Sequence, residues 1–190
     1  MSTDDNELGQ CRVAIVEAYK DYHPSIDAKG VVEKLVRHVQ PEYLRGLKCI
    51  VLTNAAALPH DRRRTKSWRR RRKVRIAEAL GLYHEARQTG PAWIEVFVDN
   101  LIDAWHPILL RISFFRDFAF SQVIYHEIGH HVHKVIRPEH REREDVADNW
   151  LNEFDKAYFW REYWYLLPIL TAMGWTVDIG HRIAAILKKQ

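Results

Sequence analysis

The stretch Tyr125-His126-Glu127-Ile128-Gly129-His130-His131-Val132-His133 decides how the rest of the chain is read. It holds the pattern His-Glu-x-x-His. On a helix, two imidazoles four residues apart stack one turn above the other on the same face and can bind one metal ion. Glu127 lies about 100° round the helix from His126, near enough to hydrogen-bond a water on that ion but poorly placed to ligate beside both histidines. Zinc brings the pKa of bound water towards neutrality, and a carboxylate in this position can take the proton as hydroxide attacks a carbonyl. The chemistry expected of these residues in this order is amide hydrolysis. On a helical wheel Ile124, Ile128, Val132 and Val135 gather opposite His126 and His130, the division a metal-bearing helix needs. The same short pattern also arises by chance, with the histidines as ordinary buried side chains. A third ligand has to decide between the two.

A catalytic zinc takes three protein ligands and a water. Continuation of the pattern to Gly-x-x-His is excluded, because Val132-His133 and Ile136 stand in those places. After the breaker Arg137-Pro138, residues 139–154 carry Val146, Trp150 and Phe154 at i, i+4 and i+8, a helical core stripe. Glu144 and Asp148 are likewise four apart, on another face. His140, Glu142, Glu144 and Asp145 are the available third ligands.

Glu144-x-x-x-Asp148 following His126-Glu127-x-x-His130 resembles the Glu-ligand (gluzincin, thermolysin-like) branch of the zincin metallopeptidases, in a minimal single-domain form. The resemblance implies that His126, His130 and Glu144 hold Zn2+, that Glu127 is the general base, and that Asp148 orients the first histidine from behind, as metal-bound histidines usually require. It implies an α+β, zincin-like fold: a small mixed sheet, a metal-bearing helix, a following ligand-bearing helix, and packing helices at the N-terminus. A zinc-dependent metalloendopeptidase acting on protein or peptide substrate through a zinc-bound water is the implied activity. In this family a strand beside the metal helix adds extended substrate to the sheet edge; residues 92–99 are the expected strand, with an interior strand as the other reading. The chain departs from thermolysin in a shorter segment between His130 and Glu144, and that enzyme's downstream transition-state residues have no match. The alternative is a zinc-containing regulatory or nucleic-acid-binding protein that keeps the peptidase fold with little or no turnover; the intact Glu127 favours the enzyme.

With 190 residues and 47% hydrophobic content, the composition is that of a globular chain and fits one domain over 1–190. The first residues, Met1-Ser2-Thr3-Asp4-Asp5-Asn6-Glu7, are acidic and polar where a secretory signal is basic and then apolar. The longest apolar run, Tyr163 to Trp175, is too short to span a bilayer and contains Pro168. Cys11 and Cys49 suit a reducing compartment as small buried residues. These features lead to the expectation of a cytoplasmic protein with no membrane partner.

Along the chain, residues 7–22 carry Val13, Ile15, Val16 and Tyr19 at mostly helical spacing. A second helix fits Ser25 to His38, capped by Ser25 or Asp27, with Val32, Leu35, Val36 and Val39 inward. Leu47 to Thr53 is a short β-branched apolar run and reads as a buried strand; Leu80 to Glu85 and Trp93 to Asp99 read as two more, the latter with Ile94, Val96 and Val98 on one face. The metal helix is expected to begin around Ser113 or Asp117. Helical phase puts His131 towards the core and His133 on the metal side, where it is a candidate for substrate contact.

From Arg62 to Arg75 the chain has ten basic residues and no acidic one. The other 19 Lys and Arg face 25 acids, so the net charge of +4 becomes −6 without this segment. All the positive excess is local. Such a segment, with Trp68 among the cations, suits nucleic acid or another polyanion; a solvated loop, or a helix face with partners such as Glu78, is the plainer reading. The C-terminal aromatics Tyr158, Phe159, Trp160, Tyr163, Trp164, Tyr165 and Trp175 read as core packing or a cleft wall. His181, Tyr163 and Tyr165 are oxyanion-donor candidates that the sequence does not separate.

Overall fold

The computed structural model describes residues 13–69, 72–88, 90–137 and 143–166. Among these the strands are β1 (Ala14–Ala18), β2 (Leu47–Thr53), β3 (Lys66–Arg69), β4 (Arg72–Arg75), β5 (Gly81–His84) and β6 (Ala92–Phe97). The helices are α1 (Ala28–Arg37), α2 (His60–Arg64), α3 (Val98–Asp103), α4 (Pro107–Arg111), α5 (Ser113–His131) and α6 (Arg143–Glu162). The mixed sheet runs β1-β2-β6-β5, the first three strands parallel and β5 antiparallel; β3 and β4 form a separate hairpin. The fold is mixed α and β, as expected. No helix among the described residues is long and apolar enough to cross a membrane.

Because strand side chains alternate, Ile50 and Leu52 of β2 and Ile94 and Val96 of β6 share one face, and all four are fully buried. Helix α5 covers that face with Phe120, Ile124 and Ile128, also fully buried. Beside it lies α1, which the Asp27 carboxylate caps by accepting from Gly30 N at 2.9 Å. Of the residues expected inward, Val32, Leu35 and Val36 are buried on α1 and Val39 is buried just beyond its end. Two polar ties fix α1 on α5: Tyr125 donates its hydroxyl to Leu35 O at 3.1 Å, and Lys34 pairs with the buried Asp117 at 3.1 Å.

The expected first packing helix is corrected. Where residues 7–22 are described, Ala14–Ala18 form β1, in parallel register with β2 from Ala14↔Cys49 to Ala18↔Thr53. Five residues rich in β-branched side chains fit either period, and a sheet neighbour decided. The crossover β1-α1-β2 is then the usual way to join parallel strands. Two shorter corrections follow. β6 stops at Phe97, so Val98 opens α3 and does not continue the strand. The basic segment is neither loop nor one helix face: it ends α2 and then forms the β3–β4 hairpin.

The described residues fall into two compact units divided between Asp155 and Lys156. The second contains the end of α6 and the 3₁₀ turn Trp164–Leu166, where Tyr158, Phe159, Tyr163 and Tyr165 form a chain of ring contacts. Tyr158 and Tyr163 are buried, whereas Trp160, Trp164 and Tyr165 are exposed. Trp175 and His181 lie outside the described residues.

Candidate metal centre

Helix α5 carries His126 and His130 one turn apart, their rings 4.7 Å between centroids and nearly perpendicular. Beyond His131 the helix widens into a π turn, Val132–Ile136, closed by Arg137 N donating to Val132 O at 2.7 Å. An added residue per turn changes the phase. Val132 is buried, but Val135, expected inward, is 46% exposed; His133 is buried, as His126 is.

Helix α6 brings the third group. The Glu144 carboxylate lies between the two imidazoles, Oε2 at 3.6 Å from His126 Nε2 and Oε1 at 3.8 Å from His130 Nε2. Ligand atoms of the three residues all fall within 4.8 Å of one another. On the other side of the His126 ring, Nδ1 lies 3.0 Å from Asp148 Oδ1. A carboxylate accepts only, so Nδ1 is the donor to Asp148, and Nε2 is the nitrogen that faces Glu144. His126, His130 and Glu144 thus form a group able to hold a metal ion, with the Asp148 carboxylate at the other nitrogen of the His126 ring. Of the rival ligands, Asp145 is exposed and stands apart from this group; His140 and Glu142 lie outside the described residues.

The chain matches no family model, no curated protein and no solved structure. Its site is therefore read from its own geometry.

Two glycines that sequence reasoning passed over set that geometry. A Cβ on Gly129, between the two histidines, would stand 2.7 Å from Ala147 O and 2.9 Å from Ala147 Cα. Its absence lets α6 lie directly on α5, and because Glu144 and Asp148 flank Ala147, the same approach delivers both carboxylates. Aromatic packing holds α6 in place: Trp150 and Phe154 stack on each other and meet Tyr43 of the turn Pro41–Leu44 at a tilt, and the Arg137 guanidinium lies over Tyr43 and Trp150. Further along the seam Gln122 donates to the Asp155 carboxylate, whose pKa burial pushes up to about 6 against the lowering effect of bonds from Ser121 and Gln122. For Gly129→Ala, the gain of about 1 kcal/mol in helix propensity is outweighed by overpacking of about 1–3 kcal/mol against backbone that cannot rotate away. The expected result is a lower melting temperature together with weaker metal binding; unchanged metal affinity would show that the close approach does not set the site.

The second glycine belongs to β5. A Cβ on Gly81 would meet Val123 Cγ1 at 2.6 Å and both Cγ and Oε1 of Glu127 at 3.0 Å. Glu127, 3% exposed, is thus packed against the bare backbone at the start of β5. Two residues on, Tyr83 reaches His131: its hydroxyl lies 3.2 Å from Nδ1, while Nε2 lies 3.0 Å from Arg45 O. A carbonyl only accepts, so Nε2 donates to Arg45 O and Nδ1 accepts a hydrogen bond from the Tyr83 hydroxyl. Burial, with Glu85 adding to it, pushes the Tyr83 pKa up to about 12, and burial lowers that of His131 despite the bond to Arg45. Both therefore stay neutral and tie β5 to α5 beside the ligands. Glu85, next after β5, pairs with Lys134 at 3.1 Å and Arg143 at 3.2 Å, reaching the ends of both ligand-bearing helices.

Residues 92–97 cannot offer a sheet edge. β6 lies between β2 and β5, so the interior-strand reading is the correct one, and the edge beside α5 among the described residues is β5. Burial of Glu95 follows from that central position. It is 5% exposed and accepts from Arg62 at 2.8 Å and from His84 at 3.0 Å. Burial alone would raise its pKa, but those two partners outweigh it and hold the carboxyl below its ordinary range.

Proposed function

We propose that this chain is a zinc-dependent metallopeptidase of zincin type, hydrolysing peptide bonds with Glu127 as general base. The observation that carries the reading is the convergence of His126 Nε2, His130 Nε2 and the Glu144 carboxylate from two helices. Donors around a tetrahedral zinc with bonds of about 2.0–2.2 Å lie about 3.3–3.5 Å apart; here one donor atom from each of the three residues lies within 4.8 Å of the others, so the group has to draw in to grip an ion. Two imidazole nitrogens and a carboxylate oxygen are a donor set that suits zinc. Zinc held there supplies Lewis acidity, polarising a carbonyl and acidifying water.

Each remaining role falls to a residue already placed. Asp148 fixes the tautomer and tilt of His126. Glu127, next in sequence to His126 and packed against the start of β5, is assigned to accept a proton from the attacking water and return it to the departing amine. The backbone edge of β5 offers an extended peptide its strand partner, a role first sought at residues 92–99. The test is hydrolysis of a fluorogenic peptide set and of unfolded protein by the full chain. Chelation is expected to abolish turnover and added zinc to restore it. Undiminished turnover after verified metal removal would contradict the proposal, and no turnover by fully zinc-loaded protein would favour the non-catalytic alternative.

A further inference from the structure

The sheet face turned away from α5 has a cleft of its own. Strand alternation sends Cys49 and Val51 of β2, Trp93 of β6 and His84 of β5 to that face, and the register sets Cys49, Trp93 and His84 in one row. His84 stacks on Trp93, the rings 3.9 Å between centroids and 10° from parallel. Together with Lys48 and Arg87 these four residues line a cleft of about 570 Å³. Tyr83, His84 and Glu85 all border it, although Tyr83 points to α5, where it meets His131, and His84 points the other way. The cleft therefore follows the backbone of β5, the edge strand beside Glu127. Its charge is one-sided. Glu85 is the one carboxylate among the lining residues and is paired with Lys134 and Arg143; Glu95, which His84 reaches, is paired with Arg62 as well. Lys48 and Arg87 are both exposed and have no carboxylate partner among the described residues.

We propose that this cleft selects peptide substrates by an acidic side chain, received by Lys48 and Arg87 about three residues from the bond that is cleaved. The inference rests on the metallopeptidase reading above. When a strand is added to a sheet edge, main-chain bonds hold the peptide and pockets for alternate side chains choose among sequences. A peptide residue opposite His84 turns its side chain to the same face as His84, over the cleft. Gly81, against which Glu127 packs, comes three residues before His84 on β5, a span of about 10 Å, and this sets the spacing to the reacting bond. Exposed ion pairs are individually weak. Lys48 and Arg87 therefore discriminate between peptides that the strand edge already holds, a task that suits them better than capturing a free small anion.

Labelled peptide twins that differ only by Glu against Gln, placed at successive positions, test it on the full chain. Binding is read by fluorescence anisotropy at low salt with the Glu127→Gln protein, so that bound peptide stays whole. The Glu twin should bind about 3- to 10-fold tighter than the Gln twin, the worth of two exposed ion pairs, and added salt should shrink the gain. K48Q/R87Q should abolish the difference while keeping the wild-type melting temperature. In cleavage by the chain with Glu127 intact, the same ratio should appear in KM, greatest with Glu about three residues from the cleaved bond. No preference at any position, or a preference that survives K48Q/R87Q, would overturn the inference and leave the peptidase reading standing wherever the twins are cut. An acidic preference that depends on both cations, in a chain that cleaves nothing, would instead remove the peptidase reading and keep the cleft as an acidic-peptide site. Displacement of the bound Glu twin by a single-stranded oligonucleotide at lower concentration than by unlabelled Glu twin would give the cleft to nucleic acid and overturn the inference.

Discussion

Glu127→Gln should leave the metal in place and lower peptide hydrolysis by roughly 10²- to 10⁴-fold, the usual worth of a general base. The substitution is nearly isosteric, and the structure says why it should be tolerated. Glu127 is 3% exposed and packs its Cγ against the open side of Gly81, where a Gln side chain of the same length fits without moving β5. What disappears is proton affinity, not shape. Metal content and melting temperature should therefore match the wild type while turnover collapses. Hydrolysis that proceeds undiminished in the variant would remove Glu127 from the mechanism.

Glu144→Ala should weaken zinc by about 10²-fold or more, since an even share of the roughly 10–16 kcal/mol typical of a four-ligand site is about 3 kcal/mol per ligand. Asp148→Ala acts through the ring it orients. Its bond to His126 Nδ1 at 3.0 Å fixes the tautomer, and losing such support costs about 10- to 100-fold in affinity or activity. Asp145→Ala is the internal control: exposed and apart from the group, it should change nothing. Competition with a zinc-binding dye measures all three. A loss larger for Asp148→Ala than for Glu144→Ala would contradict their assigned positions, and a large loss for Asp145→Ala would reopen the choice of third ligand.

Much of this site is legible in the sequence because its information is local. The turn between His126 and His130, and the turn between Glu144 and Asp148, follow from helical period alone, and the stripe Val146, Trp150, Phe154 tells which face of α6 is inward. Leu47–Thr53 likewise reads as a strand from its own composition. What stayed hidden depends on partners distant in the chain. Gly129 is one unremarkable helical residue until Ala147 lies across it, and Gly81 one strand residue until Glu127 stands behind it. The only signal for either was a glycine where a helix or strand would favour another residue. β1 was misread because five residues carry too few periods to separate 3.6 from 2, and its partner β2 comes some thirty residues later. Val135 changed sides because a π turn shifts phase without a mark in the pattern. Glu95 alternates with the apolar face of Ile94 and Val96, and its burial becomes clear only with Arg62 and His84 beside it.

The central claim is that two helices build one zinc site from His126, His130 and Glu144. Metal analysis of the purified chain, beside the double variant H126A/H130A, tests it most directly. One zinc per wild-type chain and none in the variant is the predicted result, since a lone carboxylate cannot hold the ion against solvent. Stoichiometric zinc persisting in the double variant, or a wild-type chain that takes up no zinc when it is supplied, would contradict the account.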